Sequence, residues 1–293
     1  IAPPFPSPII ADPTFLPPDD TPDGLWHLFA HSMLGIHHFT SRDGLAWERL
    51  AGAVCRASLR AFLLKRDGTY HLFYERFLRL FPFAYRSRLE MRTSRDLTSW
   101  SDPVAVLEPT LPWHREGCVG AVSNPCVVEE EGSFRLYYSA GLVYLRDCRF
   151  SEPKYIGVAF ARDATGPYRP APEPALQPAA GDAYANMGAG AVKVLRLEDG
   201  YVGFQNGIYW DAETAHSRSA IRLVTSRDGL VWDILEREPV IKPEPGWKKA
   251  FVYALDVRLV GGRFYLYFNA RDGWLTGREN IGLALCERVP SSS

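Results

Sequence analysis

Short apolar runs, rich in aromatic residues, recur along the whole chain. They are Leu25-Trp26-His27-Leu28-Phe29, Tyr70-His71-Leu72-Phe73-Tyr74, Phe134-Arg135-Leu136-Tyr137-Tyr138, Tyr201-Val202-Gly203-Phe204 and Phe264-Tyr265-Leu266-Tyr267-Phe268. Each follows a tight-turn pair: Asp23-Gly24, Asp67-Gly68, Glu131-Gly132, Asp199-Gly200 or Gly261-Gly262. A run of four to eight such residues behind an Asx-Gly or Gly-Gly pair predicts a strand entered from a hairpin turn. Downstream lie Ser41-Arg42-Asp43-Gly44, Ser94-Arg95-Asp96, Ala161-Arg162-Asp163 and Ser226-Arg227-Asp228-Gly229, with a degenerate Cys286-Glu287-Arg288 in the last unit. Three of these tails reach a tryptophan: Trp47, Trp100 and Trp232.

The phrase recurs at roughly 45 to 70 residues, a period built from strands and turns, which predicts an all-β, five-bladed β-propeller. Because the repeat runs from end to end, residues 1–293 read as a single domain. In a blade the first strand lines the central channel and a hairpin returns the second strand to the same face. The first strands are expected to begin near Asp12-Pro13, Arg60-Ala61, Asn124-Pro125, Gly188-Ala189-Gly190 and Asp256-Val257. The second strands are expected to end at His31, Glu75, Ser139, Asn206 and Asn269. All five of these ends are polar although each follows an apolar run, so a polar pocket is expected at the channel mouth. Segments 76–88, 108–122, 140–154, 170–187, 207–220, 242–254 and 270–280 are expected as long loops on that face. They carry His114, Trp210, Trp274 and Arg271. Aromatic rings interleaved with hydrogen-bonding groups suit carbohydrate, whose C–H faces stack while its hydroxyls take polar partners.

Composition narrows the classes. The net charge is -1 and 46% of residues are hydrophobic, which gives no reason to expect nucleic acid or an anionic membrane as partner. No apolar stretch approaches a membrane span. The start, Ile1-Ala2-Pro3-Pro4-Phe5-Pro6, lacks the basic region and apolar core of a signal peptide. Cys55, Cys118, Cys126, Cys148 and Cys286 are odd in number and show no metal-type spacing, so they read as free thiols and lean the location towards the cytoplasm. His37-His38 falls inside a predicted strand, where neighbouring side chains face opposite ways and make a poor metal pair. No metal and no other cofactor is expected.

Five repeats, Asp12-Pro13 opening the first strand, the turn glycine before Tyr-x-Leu-Phe/Tyr-Tyr and Ser-Arg-Asp-Gly-x-x-Trp together resemble the five-bladed propeller glycosidases. These are glycoside hydrolase families 43, 62, 32, 68, 117 and 130, and family 43 is nearest in pattern. The resemblance implies an inverting hydrolase acting on a small glycoside or oligosaccharide. It implies an Asp base on blade one, which matches Asp12. At the family's second position, an Asp that tunes the acid, this chain has Asn124. At its third, a Glu acid, it has Met187-Gly188-Ala189.

The general acid must therefore come from elsewhere, since inversion needs both an acid and a base, roughly 6.5–9.5 Å apart. Glu75, Asp256 and Glu116 are the candidates, with Glu75 favoured for its reach across the channel. His31, Arg60, Asn124, Ser139, Asn206, Asn269, His114 and Trp210 are expected to bind substrate. Two alternatives stay open. One is a carbohydrate-binding or repurposed propeller that has lost its acid. The other is a phosphorylase resembling family 130, with phosphate on Arg60, Arg76, His31 and His114.

Overall fold

A computed structural model describes residues 1–79, 85–236 and 238–287. Residues 80–84 of the expected loop 76–88, and Arg288 of the last tail, lie outside the described residues. Apart from two short 3-10 turns, at Pro18–Asp20 and Pro112–Arg115, the regular structure among the described residues is all strand.

The strands form antiparallel meanders in chain order. The first is β1 (Ala11–Leu16), β2 (Trp26–Ser32), β3 (Gly35–Ser41) and β4 (Glu48–Arg49). The second is β5 (Ser58–Arg66), β6 (Thr69–Arg79), β7 (Arg86–Ser94) and β8 (Val104–Leu107). The third is β9 (Val122–Glu130), β10 (Ser133–Leu145), β11 (Phe150–Ala161) and β12 (Arg169–Pro170). A seven-stranded sheet follows. It holds β13 (Gly188–Leu197), β14 (Gly200–Asp211), β15 (His216–Ser226) and β16 (Asp233–Ile234), then β17 (Phe251–Val260), β18 (Arg263–Arg271) and β19 (Glu279–Glu287). One parallel bridge, Ser219 to Phe251, joins its two halves. The opening strands β1, β5, β9, β13 and β17 lie side by side in that order, and β17 lies against β1, so they close a ring. Residues 1–10 add backbone hydrogen bonds along β19: Ile10 N–H to Glu279 O, Glu279 N–H to Pro8 O and Ile281 N–H to Ile1 O. The outer edge of β19 is thereby paired by residues of the first segment.

The turn pairs work as hairpins. Asp67 and Gly68 both take positive φ (48° and 69°), the geometry whose twist matches the flanking strands. The repeated tail is the joint between meanders. Trp47 packs edge-on against Tyr267, Trp100 against Phe29 and Trp232 against Tyr137, each reaching the second strand of the preceding meander. The turn before the tryptophan accepts the same tyrosine's hydroxyl: Tyr267 donates to Gly44 O at 2.5 Å and Tyr137 to Gly229 O at 3.0 Å. Edge-on aromatic pairs add about 0.5–1.5 kcal/mol beyond burial. The core lies between the meanders, as in the cluster of Phe15, Trp26, Leu28 and Tyr267 that spans the first and last.

Two expected loops are strands instead. Segments 140–154 and 207–220 are largely the extended hairpins β10–β11 and β14–β15, paired out to Leu145–Phe150 and Asp211–His216. Their polar residues are the outward face of long ribbons, which composition alone does not separate from loop.

Candidate functional site

The opening strands share one local distortion at their N-terminal ends. Pairing with the second strand breaks register between Ala11 and Thr14, Leu59 and Phe62, Ser123 and Cys126, Gly188 and Ala191, and Val252 and Leu255. At four of these bulges a residue takes left-handed φ: Asp12 at 49°, Arg60 at 53°, Asn124 at 48° and Gly190 at 67°. For a residue such as Arg that conformation costs of order 1–3 kcal/mol and persists only where the surroundings enforce it. The bulges re-aim the side chains into a cavity of about 190 Å³ at the channel mouth.

Asp12, His31, Arg60, Asn124, Asn206 and Asn269 all line that cavity. Four of the five polar ends of the second strands have a structural job as well, since each bonds the opening of the next first strand. His31 Nδ1 accepts the Arg60 N–H at 3.4 Å, and Asn269 Oδ1 accepts the Asp12 N–H at 3.1 Å. Asn206 Nδ2 donates to Val252 O at 2.7 Å, and Ser139 Oγ to Gly190 O at 2.7 Å. These clamps fix the ring at the depth of the cavity.

Sequence reasoning missed two carboxyls. Glu152, on β11, and Glu279, at the start of β19, line the cavity with Asp12, joined by Phe150, Tyr253 and Arg271. Both glutamates enter from third strands. Burial pushes the Glu152 carboxyl up to about 7, with Glu279 and Asp12 adding to the rise, while Arg60 and a hydrogen bond from Tyr253 oppose it. Glu279 is likewise pushed up to about 7 by burial, against Arg271, whose Nη1 lies 3.2 Å from its Oε1. Asn269 Nδ2 donates to Glu279 Oε2 at 3.2 Å, so one amide spans Asp12 and Glu279. Asp12 is raised by burial, opposed first by Arg60 and then by Lys193. His31 Nδ1 lies 3.3 Å from Asp12 Oδ2. Burial brings that imidazole down to about 3, so it is neutral at physiological pH.

Several expected site residues lie elsewhere. Glu75 is fully buried behind Arg60, ion-paired to its Nη1 at 2.5 Å and accepting the Tyr85 hydroxyl at 2.5 Å. It holds Arg60 and does not line the cavity. Asp256 sits six residues into β17's neighbourhood of the channel, away from the mouth. It accepts Thr14 Oγ1 at 2.8 Å and Phe15 N–H at 3.1 Å, tying the last meander to the first. The mouth of β17 is the bulge at Tyr253-Ala254, which carries no acidic residue. Glu116 pairs with Lys154 and Tyr155 at the surface. His114 is buried, its Nε2 2.9 Å from the Tyr138 hydroxyl and its Nδ1 accepting the Leu111 N–H. Ser139 is a clamp only, and half-exposed Trp210 bonds through its backbone to Asn186, both outside the cavity. Arg76 turns away to the Arg56 carbonyl.

No protein family matches the sequence, and no curated protein is significantly similar to it. Solved structures are similar in fold. A thermostable family-43 glycoside hydrolase aligns with TM-score 0.68 at 13% identity, covering 97% of this chain and 94% of its own. A glycosyl hydrolase from Bacteroides ovatus aligns with TM-score 0.67 at 14% identity, covering 95% and 84%. A structure from the GH130 family of mannoside phosphorylases, which contains glycoside hydrolases that target β-1,2 mannosidic linkages in Candida mannan, aligns with TM-score 0.64 at 14% identity, covering 95% and 84%. The fold of this chain is that of the propeller glycosidases.

Proposed function

We propose that this protein is a five-bladed propeller glycoside hydrolase that cleaves a small glycoside with inversion. Counting the seven-stranded sheet as two blades matches the closed ring of opening strands. The observation that carries the reading is the convergence of three carboxyls on one cavity, partly buried Asp12 and the buried Glu152 and Glu279, the last two raised to about 7. Inversion asks for one carboxyl that holds a proton and one that accepts it. Glu152 makes no ion pair among the described residues and takes the role of acid, protonating the leaving oxygen. Asp12 takes the proton of the water that attacks the anomeric carbon. Glu279, held by Arg271 and Asn269, is a second carboxyl in the same buried setting, and two charges side by side there are disfavoured, which helps Glu152 to keep its proton. Arg60, Asn124, Asn206 and Asn269 offer hydrogen bonds to sugar hydroxyls, and Phe150 and Tyr253 offer ring surface. A cavity below the ~300–1,000 Å³ of drug-sized sites suits one sugar ring.

Water is favoured over phosphate by the charges. His31 is neutral, Arg76 and His114 lie outside the cavity, and Arg60 and Arg271 each already face a glutamate.

The test is hydrolysis of a panel of furanosides, pyranosides and uronides, with and without phosphate, following the product anomer by NMR. Turnover with inversion is expected, with kcat lowered about 10²–10⁴-fold in Asp12→Asn and in Glu152→Gln. Turnover indifferent to both substitutions would overturn the assignment, and a strict phosphate requirement would replace it with a phosphorylase.

A further inference from the structure

The ring of opening strands encloses a second cavity, further along those strands than the one that holds Asp12. Its volume is about 310 Å³, and Phe62 and Leu64 of β5, Val128 of β9, Lys193 and Leu195 of β13 and Arg258 of β17 line it. Residues two apart on a strand share a face, so Phe62 and Leu64, and Lys193 and Leu195, look the same way. The residues between, Leu63 and Val194, pack in the cores between the meanders. Half-exposed Asp20 and exposed Leu259 lie at the far end.

The charges in this second cavity do not balance. Lys193 is only 6% exposed and makes no ion pair among the described residues. Its Nζ donates to Pro125 O at 2.7 Å and sits 4.9 Å from the centre of the Phe62 ring. An ammonium has three N–H groups, and a single carbonyl takes up one of them. Arg258 donates through Nη2 to Leu63 O at 2.7 Å, while its buried Nε has no acceptor among the described residues. The two carboxylates that line the cavity are already matched, Asp256 by Arg258 and Asp20 by Lys65, each at 3.3 Å. The charge of Lys193 is left over, and a buried charge without a counter-ion is costly.

We propose that this second cavity is a binding site for a small organic carboxylate, whose head group takes the remaining N–H groups of Lys193 and whose apolar body lies against Phe62, Leu64, Val128 and Leu195. One negative charge answers the one unmatched cation, and charge-assisted hydrogen bonds of this kind are the strong ones. An apolar wall with a few placed polar groups is the usual make-up of a small-molecule site. Phosphate, with oxygens on every side, would face apolar side chains over most of its surface. The site stands apart from the hydrolase reading, and its test needs no turnover. Para-fluorobenzoate is titrated into the full chain and followed by fluorine NMR. Saturable binding is expected, with displacement by plain benzoate. Lys193→Met is expected to weaken it at least about tenfold, the usual effect of losing a hydrogen bond to a charged group, while Lys193→Arg stays near the wild type. Arg271→Met, which removes a cation of the Asp12 cavity, is expected to leave it unchanged. Leu195→Trp keeps the ammonium but fills the space, so it is expected to block the probe, and it decides the matter where Lys193→Met does not fold. Absence of saturable binding to the wild type overturns the proposal, as does binding indifferent to Lys193→Met or to Leu195→Trp. Loss in Arg271→Met alone would place the probe beside Asp12 and overturn it too. Displacement by inorganic phosphate as effective as by benzoate would make this a general anion site and overturn the carboxylate assignment.

Discussion

Glu75 and Glu152 are both buried, both close to Arg60, and held in different ways. Glu75 receives Arg60 Nη1 and the Tyr85 hydroxyl at 2.5 Å each, so removing its charge breaks the ion pair that holds this guanidinium. Glu152 is buried with two carboxyls as neighbours, which favours its protonated form against the pull of Arg60 and the Tyr253 hydrogen bond. Glu75→Gln is therefore expected to lower unfolding stability by about 3–5 kcal/mol, the usual effect of breaking a buried ion pair. Glu152→Gln, measured at about pH 5, exchanges one neutral group for another of the same shape and should stay within about 1 kcal/mol of the wild type. Urea unfolding of the two variants checks both, and equal losses would show that the two glutamates are held alike. None of this difference is visible in Tyr74-Glu75-Arg76 or Ser151-Glu152-Pro153. It comes from Tyr85, across the same hairpin from Glu75, and from Tyr253 and Glu279, which the closed ring brings near Glu152. Asp12 was legible for the opposite reason, since Asp-Pro opening a first strand is a local signal.

At the scale of elements, what was local was readable. The turn pairs, the aromatic second strands and the Trp-bearing tails marked the meanders, because each is fixed by neighbours in sequence. The acids were not, because Glu152 and Glu279 stand at the start of third strands, and β10–β11 continues as a ribbon where loop was expected. The mouth of β17 was misplaced because its bulge, Tyr253-Ala254, carries no polar marker, while Asp256 nearby does. The bulges themselves make a prediction. Gly190 has φ +67°, and a Cβ there would stand 1.8 Å from Asn206 O, a backbone atom of the same clamp that joins β14 to β17. Gly190→Ala is expected to cost about 3 kcal/mol or more, since both the backbone conformation and the space forbid it. Gly24→Ala is the control, with similar φ (+70°) and nothing within 4 Å of the added atom. It should cost only about 1 kcal/mol. Denaturation of the two variants separates strain from collision, and equal losses would show that the bulge accommodates the methyl group.

Over the whole molecule, two sets of buried groups pull stability in opposite directions as pH changes. His31 and His38 are brought down to about 3 and His114 to about 4, each mainly by burial. Below an unfolded value near 6.5 the unfolded chain binds protons that these imidazoles refuse in the fold, so their contribution makes stability rise with pH up to about 6.5. Glu152 and Glu279 act with the other sign. Their folded values near 7 lie above the ordinary 4.5, so the folded state holds protons that the unfolded state has released. The stability they contribute is fully present below about 4.5 and is lost as pH rises towards 7. The wild type should therefore gain little between pH 5 and 7, because the two trends offset each other. In Glu152→Gln/Glu279→Gln the glutamate trend is gone and the histidine trend remains. The double variant is expected to climb more steeply with pH in that window, by about 1.4–2.7 kcal/mol per pH unit for one to two protons. Urea midpoints of the two proteins at about pH 5, 6 and 7 measure that difference directly. Parallel curves would mean that the cavity glutamates are ionised throughout the window. A cavity in that state has no proton to give a leaving group, and the acid role of Glu152 would fall with it.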